Sequence, residues 1–326
     1  MSPVVLPPAR SVLITGASGL VGSQVVALLA ADPGAVETVV ALDLRDVPDE
    51  RRLAGIDYQL GDIRDPGLET LLRARDIDTV VHLAAIVSLG KDRPREHDYS
   101  VDVLGTENVL GCAQRAGVRH LVYTSSGAAY GYHADNPTPL DEDDTLRGNP
   151  EFAYSDHKRL VEVMLERHRR EHPELGQLVF RPGTILGEHA ANPITAIFDR
   201  PVVVGVRGTD SPFVLVWDED VARCVLEGIR ERRTGIYNLT GDGVITLREI
   251  AGRLHKRYVA LPVPVLAGAL RVLKALRLSR AGPEHVNFLR YRPVLSNENL
   301  ERDFDLTPSA TSEECFERYR RIRFPS

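Results

Sequence analysis

Two side chains that can move a proton lie four residues apart in a stretch with helical periodicity, Ala153 to Arg170. Tyr154 and Lys158 would share one face of that helix, one turn apart. A phenol has a pKa near 10, and lowering it to about 7 takes roughly 4 kcal/mol. A unit charge at about 4 Å and an effective dielectric of about 20 supplies about that energy. The spacing therefore predicts an acid–base group, although a solvated helix face can show the same spacing.

A hydroxyl ends the predicted strand 119–126, at Ser126. Such a hydroxyl can donate a hydrogen bond to a substrate oxygen and stabilise the negative charge that develops there. Together with Tyr154 and Lys158, it makes a candidate catalytic set for chemistry at a carbon that carries oxygen.

The stretch from Ser11 to Leu29 predicts a buried strand, a glycine turn and a helix. Gly16, Gly19 and Gly22 occur at a spacing of three, between the strand and the helix. Unpaired N–H groups and a partial positive charge stand at a helix N-terminus, and glycines let a pyrophosphate approach the backbone closely. The context predicts a dinucleotide-binding turn.

An acid follows the second predicted strand, at Asp43. A carboxylate there can accept hydrogen bonds from ribose hydroxyls and repels a 2′-phosphate, which favours NAD over NADP. Arg45 could instead reach a phosphate, which keeps NADP open as the alternative cofactor, and a strand-end turn residue is the plain structural interpretation of Asp43.

Predicted strands and helices alternate five times within the first half of the chain, which is typical of an α/β fold with a doubly wound parallel sheet. Ligands of such sheets bind beyond the carboxyl ends of the strands. We therefore expect one crevice to bring together the following residues: Gly16, Asp43, Asp62, Ala84 and Ser126. His82 is expected to be a core residue rather than a ligand.

Length and composition limit the remaining possibilities. The chain has 326 residues, 43% hydrophobic and 26% charged, and a net charge of −6, which argues against a nucleic-acid surface. Three widely spaced cysteines show neither a disulfide framework nor zinc spacing, so we expect a cytoplasmic protein without a metal. No signal peptide and no integral membrane segment are expected. We predict a cofactor domain at 1–187 and a smaller, partly interleaved substrate lobe at 188–326.

The chain resembles the extended short-chain dehydrogenase/reductases, grouped as NAD-dependent epimerases and dehydratases. The motifs that carry the resemblance are Thr15–Gly22, Asp43, Gly61-Asp62-Ile63, His82–Ala85, Tyr123–Ser126, Tyr154 with Lys158, Arg181-Pro182 and Asp218–Ala222. The resemblance implies an NAD-binding Rossmann fold and a catalytic Ser126, Tyr154 and Lys158. It also implies a homodimer through helices near 97–116 and 153–170. The cofactor contacts it implies are Gly16, Ser18, Gly19, Leu20, Gly22, Asp43, Arg45, Asp62, Ile63, Leu83, Ala84, Ala85, Tyr154, Lys158 and Pro182.

Departures from the family pattern bear on the reaction. The family's sugar-nucleotide dehydratases have an Asp-Glu pair where this chain has Gly127 and Ala128, which cannot move a proton. Asn residues usual in sugar-nucleotide enzymes are replaced by Asp102 and Gly183. The remaining candidates for contact with a substrate phosphate are Arg181, Asn192 and Arg207, and each could equally be a surface or packing residue.

We therefore predict hydride transfer between NAD and a small-molecule secondary alcohol or ketone. A sugar-nucleotide epimerase that oxidises its substrate transiently is the first alternative, and a non-catalytic nucleotide-binding regulator is the second.

The apolar segment Val259 to Leu278, with Arg271, Lys274 and Arg277, resembles the C-terminal lobe of the steroid-dehydrogenase-like and keto-reductase-like branch. A helix packed on the lobe's own core, a lid over an apolar substrate and shallow membrane association are all open at this point.

Overall fold

The computed structural model describes residues 6–87, 94–276, 282–283 and 285–325. Seven parallel strands form the central sheet, in the order β11-β6-β5-β4-β1-β2-β3. The strands are β1 Ser11–Thr15, β2 Thr38–Asp43, β3 Ile56–Leu60, β4 Thr79–His82, β5 His120–Thr124, β6 Gly176–Pro182, β7 Thr184–Leu186, β8 Val202–Val206, β9 Pro212–Phe213, β10 Leu215–Trp217, β11 Gly235–Leu239, β12 Ile245–Thr246 and β13 Arg257–Leu261. This sheet confirms the doubly wound α/β fold.

Helices cover both faces of the sheet and build most of the second lobe. They are α1 Leu20–Ala31, α2 Leu68–Ala74, α3 Arg95–Tyr99, α4 Thr106–Ala116, α5 Ala153–Glu171, α6 Thr195–Phe198, α7 Asp218–Arg230, α8 Leu247–Arg253, α9 Val263–Ala275, α10 His285–Arg290, α11 Glu298–Asp303 and α12 Ser312–Arg323. A π-helical segment, Ser100–Gly105, joins α3 to α4. The predicted helix 97–116 thus contains a π turn, a feature that often marks functional sites.

Two apolar clusters fix the sheet between its helices. On one face Val12 and Ile14 of β1 pack with α1 and α7, and on the other Leu13 packs with α4 and α5. The alternation of side chains along a strand explains why β1 is buried on both faces. The sheet order reverses between β1 and β4, so a crevice opens at the carboxyl ends of these strands.

The later part of the chain is interleaved with the sheet. β11 pairs in parallel with β6, and α7 packs on the same apolar cluster as α1. A separate apolar cluster around Phe198, Phe213 and Phe316 forms the core of the second lobe.

The segment predicted at 259–278 consists of the end of β13, the helix α9 and a short continuation, of which residues 277 and 278 lie outside the described residues. Leu266 of α9 is buried with Val206 and Val286, and Val263, Ala267 and Leu270 pack beside it, as expected of a helix packed on the lobe's own core. Among the described residues no helix has the length and apolarity needed to cross a bilayer.

Candidate active site

One large crevice, of about 1740 Å³, lies at the carboxyl ends of β1, β4, β5 and β6. Its walls include the glycine turn, the end of β5 and the first two turns of α5. Val214 and Phe288 of the second lobe, together with Thr184 of β7, close the opposite side. This volume exceeds that of a typical pocket for a single small ligand, so a cofactor and a substrate can lie there together.

The glycine turn is packed so closely that side chains are excluded at two positions. Gly16 has φ of +70°, and a Cβ there would stand 2.7 Å from the backbone nitrogen of Ala84. A Cβ on Gly22 would stand 2.2 Å from the carbonyl oxygen of Gly16. Helix α1 begins directly after Gly19, without a side-chain cap. Its free N–H groups are therefore available to an anion, as the sequence predicted.

Replacing Gly22 by Ala is expected to lower the free energy of unfolding by about 1–3 kcal/mol, because the new methyl group forces the turn apart. The turn that would hold the pyrophosphate is displaced too, so NAD affinity should fall. Gly252→Ala is the matched control, because nothing lies within 4 Å of its added Cβ. Urea unfolding and NAD titration measure both effects, and an unchanged NAD affinity in Gly22→Ala would contradict the assignment of this turn.

Asp43 and Arg45 are both bound to the glycine turn. The Asp43 carboxylate accepts hydrogen bonds from the backbone N–H groups of Ser18 at 2.9 Å and of Arg45 at 3.0 Å. The Arg45 guanidinium donates to the carbonyl oxygen of Ser18 at 3.0 Å. Arg45 lines the crevice, whereas Asp43 lies behind Ser18, outside the lining.

The remaining expected cofactor contacts divide into two groups. Asp62 lies outside the crevice lining and pairs with Arg64, whose hydrogen bonds lower the pKa of the Asp62 carboxyl. Ile63 is buried, and Ala84 supports the turn at Gly16. Those that do line the crevice are Gly16, Ser18, Gly19, Leu20, Gly22, Leu83, Ala85 and Pro182.

Ser126, Tyr154 and Lys158 all line the crevice. The Ser126 hydroxyl accepts a hydrogen bond from the Ala128 N–H at 3.1 Å and lies near enough to the Tyr154 phenol to affect its pKa. The Lys158 ammonium donates to the hydroxyl of Tyr123 at 3.0 Å and to the carbonyl oxygen of Thr124 at 2.8 Å. It lies 5.9 Å from the centre of the Tyr154 ring. The structure therefore brings the three predicted catalytic residues to one wall.

The pKa of Tyr154 differs in direction from the sequence argument. Burial raises the pKa of the phenol, although the nearby Ser126 hydroxyl lowers it. Burial also lowers the pKa of Lys158 to about 8, against the charges of Asp102 and Glu162, which raise it. The Lys158 ammonium binds Tyr123 and Thr124 rather than the phenol, so the lowering of the Tyr154 pKa expected from Lys158 together with a cationic nicotinamide ring stays a prediction.

The lowered pKa of Lys158 predicts how the free energy of unfolding changes with pH. Its folded pKa of about 8 lies below the ordinary value of 10.5, so between these values the unfolded chain binds more protons than the folded one. The free energy of unfolding of the wild type should therefore rise relative to Lys158→Met as pH increases from 8 to 10.5. The total rise is about 3 kcal/mol. Urea unfolding of both proteins across this range measures it, and a flat difference curve would contradict it.

Two residues beside the catalytic wall were not predicted as a pair. Asp102, in the π-helical segment, accepts a hydrogen bond from the Ile86 N–H at 2.9 Å and contacts the His157 ring nitrogen Nδ1 at 3.3 Å. Both side chains are at most 5% exposed and line the crevice. The Nε2 atom of His157 has no hydrogen-bond partner among the described residues. The sequence offered two signals for this pair: His157 directly precedes Lys158, and Asp102 lies inside a predicted helix.

A cation in the second lobe was also missed. The Arg292 guanidinium lies over the rings of Phe213 and Phe288, at 4.0 and 4.7 Å, and donates to the Thr184 hydroxyl at 3.0 Å. Its Nε and Nη1 atoms are buried without a partner among the described residues. Burial lowers the pKa of Arg292 to about 10. Thr184 and Phe288 belong to the crevice wall, so Arg292 stands directly behind it.

The three candidate phosphate contacts have other tasks. Arg181 is buried against Glu162, and the Asn192 side chain accepts from the N–H groups of Ile194 and Thr195. Arg207 does not line the crevice, whereas Asn192 does. Among the described residues no group of three or more His, Cys, Asp or Glu could hold a metal ion.

A sequence model described as the NAD-dependent epimerase/dehydratase family matches residues 12–204, more than half of the chain. This chain belongs to the NAD-dependent epimerase/dehydratase family. Membership confirms the resemblance stated above, an enzymatic role and NAD as the cofactor. The closely packed glycine turn at the free N-terminus of α1 fits such a cofactor. The assignment to the steroid-dehydrogenase-like branch of the family stays a prediction.

Individual relatives span most of the chain at low identity. A protein of Mycobacterium tuberculosis is 24% identical over 321 residues, 96% of this chain and 84% of that protein. A UDP-glucose 4-epimerase of Mycolicibacterium smegmatis is 31% identical over 206 residues, 59% of this chain and 63% of that protein. The crystal structure of a Thermus thermophilus UDP-glucose 4-epimerase with NAD has a TM-score of 0.73 and 23% identity, with 97% of this chain and 100% of that chain covered. This last likeness supports the fold alone.

Proposed function

We propose that this protein transfers a hydride between NAD and the carbon of a secondary alcohol or ketone. The observation that carries the proposal is the placement of Ser126, Tyr154 and Lys158 together on the crevice wall, with Lys158 one helical turn from Tyr154. The proton transfer in such a reaction needs two hydroxyl groups that bind the substrate oxygen, here Ser126 and Tyr154, and a fixed positive charge, here Lys158.

The residues of this chain divide the work as follows. Tyr154 Oη takes the hydroxyl proton of the alcohol as the carbinol C–H electrons leave as hydride, and it returns the proton in the reverse direction. Ser126 donates to the same substrate oxygen and holds it against Tyr154. Lys158 supplies a positive charge that favours the phenolate. NAD, when bound, accepts or supplies the hydride and adds a positive charge in its oxidised form.

The glycine turn is proposed to hold the cofactor's pyrophosphate, through Gly16, Ser18, Gly19, Leu20 and Gly22. Asp43 and Arg45 stand at the adenosine end, where the carboxylate favours a free ribose hydroxyl. Lining positions at the ends of β4 and β6 flank the nicotinamide end: Leu83, Ala85 and Pro182. Asp62 and Ile63, also proposed as cofactor contacts, follow β3, beside the strand that ends at Asp43.

Turnover with a panel of cyclic and acyclic ketones tests the proposal. We expect NADH to be consumed in proportion to product, with free exchange of bound and added NAD. Tightly bound NAD that never exchanges, with no net consumption by any ketone, would contradict it.

A sugar-nucleotide epimerase is the second candidate, favoured by Arg292. A guanidinium behind the crevice wall, with two nitrogen atoms that have no partner among the described residues, suits an anionic substrate group such as a diphosphate. Gly183 weighs against this candidate, because a Cβ there would stand 2.8 Å from the Val214 carbonyl oxygen and leaves no space for the usual Asn. Incubation with UDP-hexoses and chromatography for an epimer distinguishes the two candidates. The family assignment favours both over a non-catalytic regulator.

Domain division, assembly and compartment complete the proposal. The cofactor domain comprises residues 1–187 together with α7 and β11, and the substrate lobe comprises the rest of 188–326. A homodimer through α4 and α5 is supported by Leu104 and Val163, which are 46% and 50% exposed on these helices and their π segment. Cytoplasmic location fits three buried free cysteines.

A further inference from the structure

Helix α9 exposes an apolar stripe on the side opposite its packed face. Leu266 packs in an apolar cluster with Val206. Val265 and Val272 are 55% and 57% exposed, and Leu276, directly after the helix, is 62% exposed. Spacings of seven and four residues put these three on one side of the helix. A surface helix normally turns polar residues outward, so an outward apolar stripe indicates a second partner.

The charge balance around α9 indicates which partner this is. Residues 254–283 contain six Lys or Arg and no Asp or Glu, although the whole chain has a net charge of −6. Arg271 lies within the helix and is exposed. An apolar stripe next to basic residues is complementary to an anionic membrane surface, where charged headgroups cover an apolar acyl-chain region. A second copy of the same segment would bring like charges together, which disfavours self-association through this face.

The position of α9 connects this surface to the crevice. Lys274, the second-last residue of α9, lines the crevice together with Phe288 of α10. The apolar stripe and the crevice opening are therefore neighbouring features of the second lobe.

We propose that α9 binds the surface of an anionic phospholipid bilayer. Val265, Val272 and Leu276 enter the boundary between headgroups and acyl chains, and Arg271, exposed on the same helix, contacts the headgroups. This is attachment from one side and does not require a spanning helix. It is independent of the reaction proposed above.

Cosedimentation of the full chain with vesicles tests the proposal. One set contains phosphatidylcholine alone, and the other contains equal parts of phosphatidylcholine and phosphatidylglycerol. We expect binding to the anionic vesicles that weakens as salt is added. The double variant Val265→Asp/Val272→Asp should bind them at least about tenfold less, because charged side chains do not enter the acyl boundary.

The matched control is Leu60→Asp/Leu306→Asp, which adds the same charge at two apolar side chains that are 68% and 44% exposed elsewhere. It should bind like the wild type. Arg271→Glu keeps the apolar stripe intact and should weaken binding to the anionic vesicles but not to the phosphatidylcholine vesicles. This single variant tests the proposal if Val265→Asp/Val272→Asp folds poorly. No binding by the wild type, or equal losses in the α9 variant and the control, would overturn the proposal. Size-exclusion evidence that Val265→Asp/Val272→Asp converts a dimer into a monomer would also overturn it.

Discussion

Replacing Tyr154 by Phe is expected to lower kcat by about 10²–10⁴-fold, the usual contribution of a positioned acid–base group. The substitution removes one oxygen atom, which lies near Ser126 in this structure. NAD affinity should stay within about twofold, because the phenol acts on the transition state rather than on cofactor binding. Rates of NADH consumption with an active ketone, and NAD titration by fluorescence quenching, measure the two quantities.

Tyr258→Phe is the matched control for this prediction. Tyr258 lies on β13, outside the crevice lining, with the Arg248 guanidinium 4.6 Å from its ring centre. Its removal should leave kcat unchanged. A Tyr154→Phe protein with full activity would mean that another group transfers the proton, and His157, one turn along the same wall, would then be the first residue to replace.

The catalytic wall could be predicted because its determinants are local in sequence. Tyr154 and Lys158 share a helix face whatever α5 packs against, and the turn around Gly16 requires glycine wherever the sheet is placed. Alternating apolar runs likewise indicate parallel strands, since each strand is buried on both faces. These features depend on neighbours within a few residues, which a single sequence contains.

Contacts between distant segments could not be predicted in the same way. Asp102 and His157 are 55 residues apart and meet only because the π-helical segment packs on α5. β11 joins the sheet beside β6, and its short apolar pattern does not indicate which strand it will pair with. The Asp43 carboxylate accepts hydrogen bonds from the N–H groups of Ser18 and Arg45, and the spacing of these residues in the sequence does not specify such contacts. Each outcome depends on competition between partners, which residue spacing does not determine.

A buried ion pair behind the catalytic wall shows the same limit and gives the largest stability prediction. Arg181 was considered as a phosphate contact, but its guanidinium donates to both carboxylate oxygens of Glu162, at 3.0 and 2.7 Å, and both side chains are 4% exposed. Burial lowers the pKa of Arg181, but the charge and hydrogen bonds of Glu162, with those of Tyr130, together outweigh burial, and the net direction is upward. Glu162 also accepts a hydrogen bond from Ser125, the neighbour of Ser126.

Arg181→Met is expected to lower the free energy of unfolding by about 3–5 kcal/mol, because it leaves the Glu162 carboxylate buried without its cation. The double variant Arg181→Met/Glu162→Leu should recover most of that loss, since removing both charges also removes their desolvation cost. Urea unfolding at neutral pH measures both proteins.

The control for this pair is Arg170→Met on the same helix, α5. Arg170 pairs with Glu166 at 3.3 Å, and their side chains are 71% and 59% exposed. Its loss should change the free energy of unfolding by at most about 0.5 kcal/mol, because water screens an exposed pair. If Arg181→Met costs no more than Arg170→Met, the buried pair contributes nothing to stability. If the double variant is as unstable as the single one, packing around Arg181 rather than an unpaired carboxylate causes the loss.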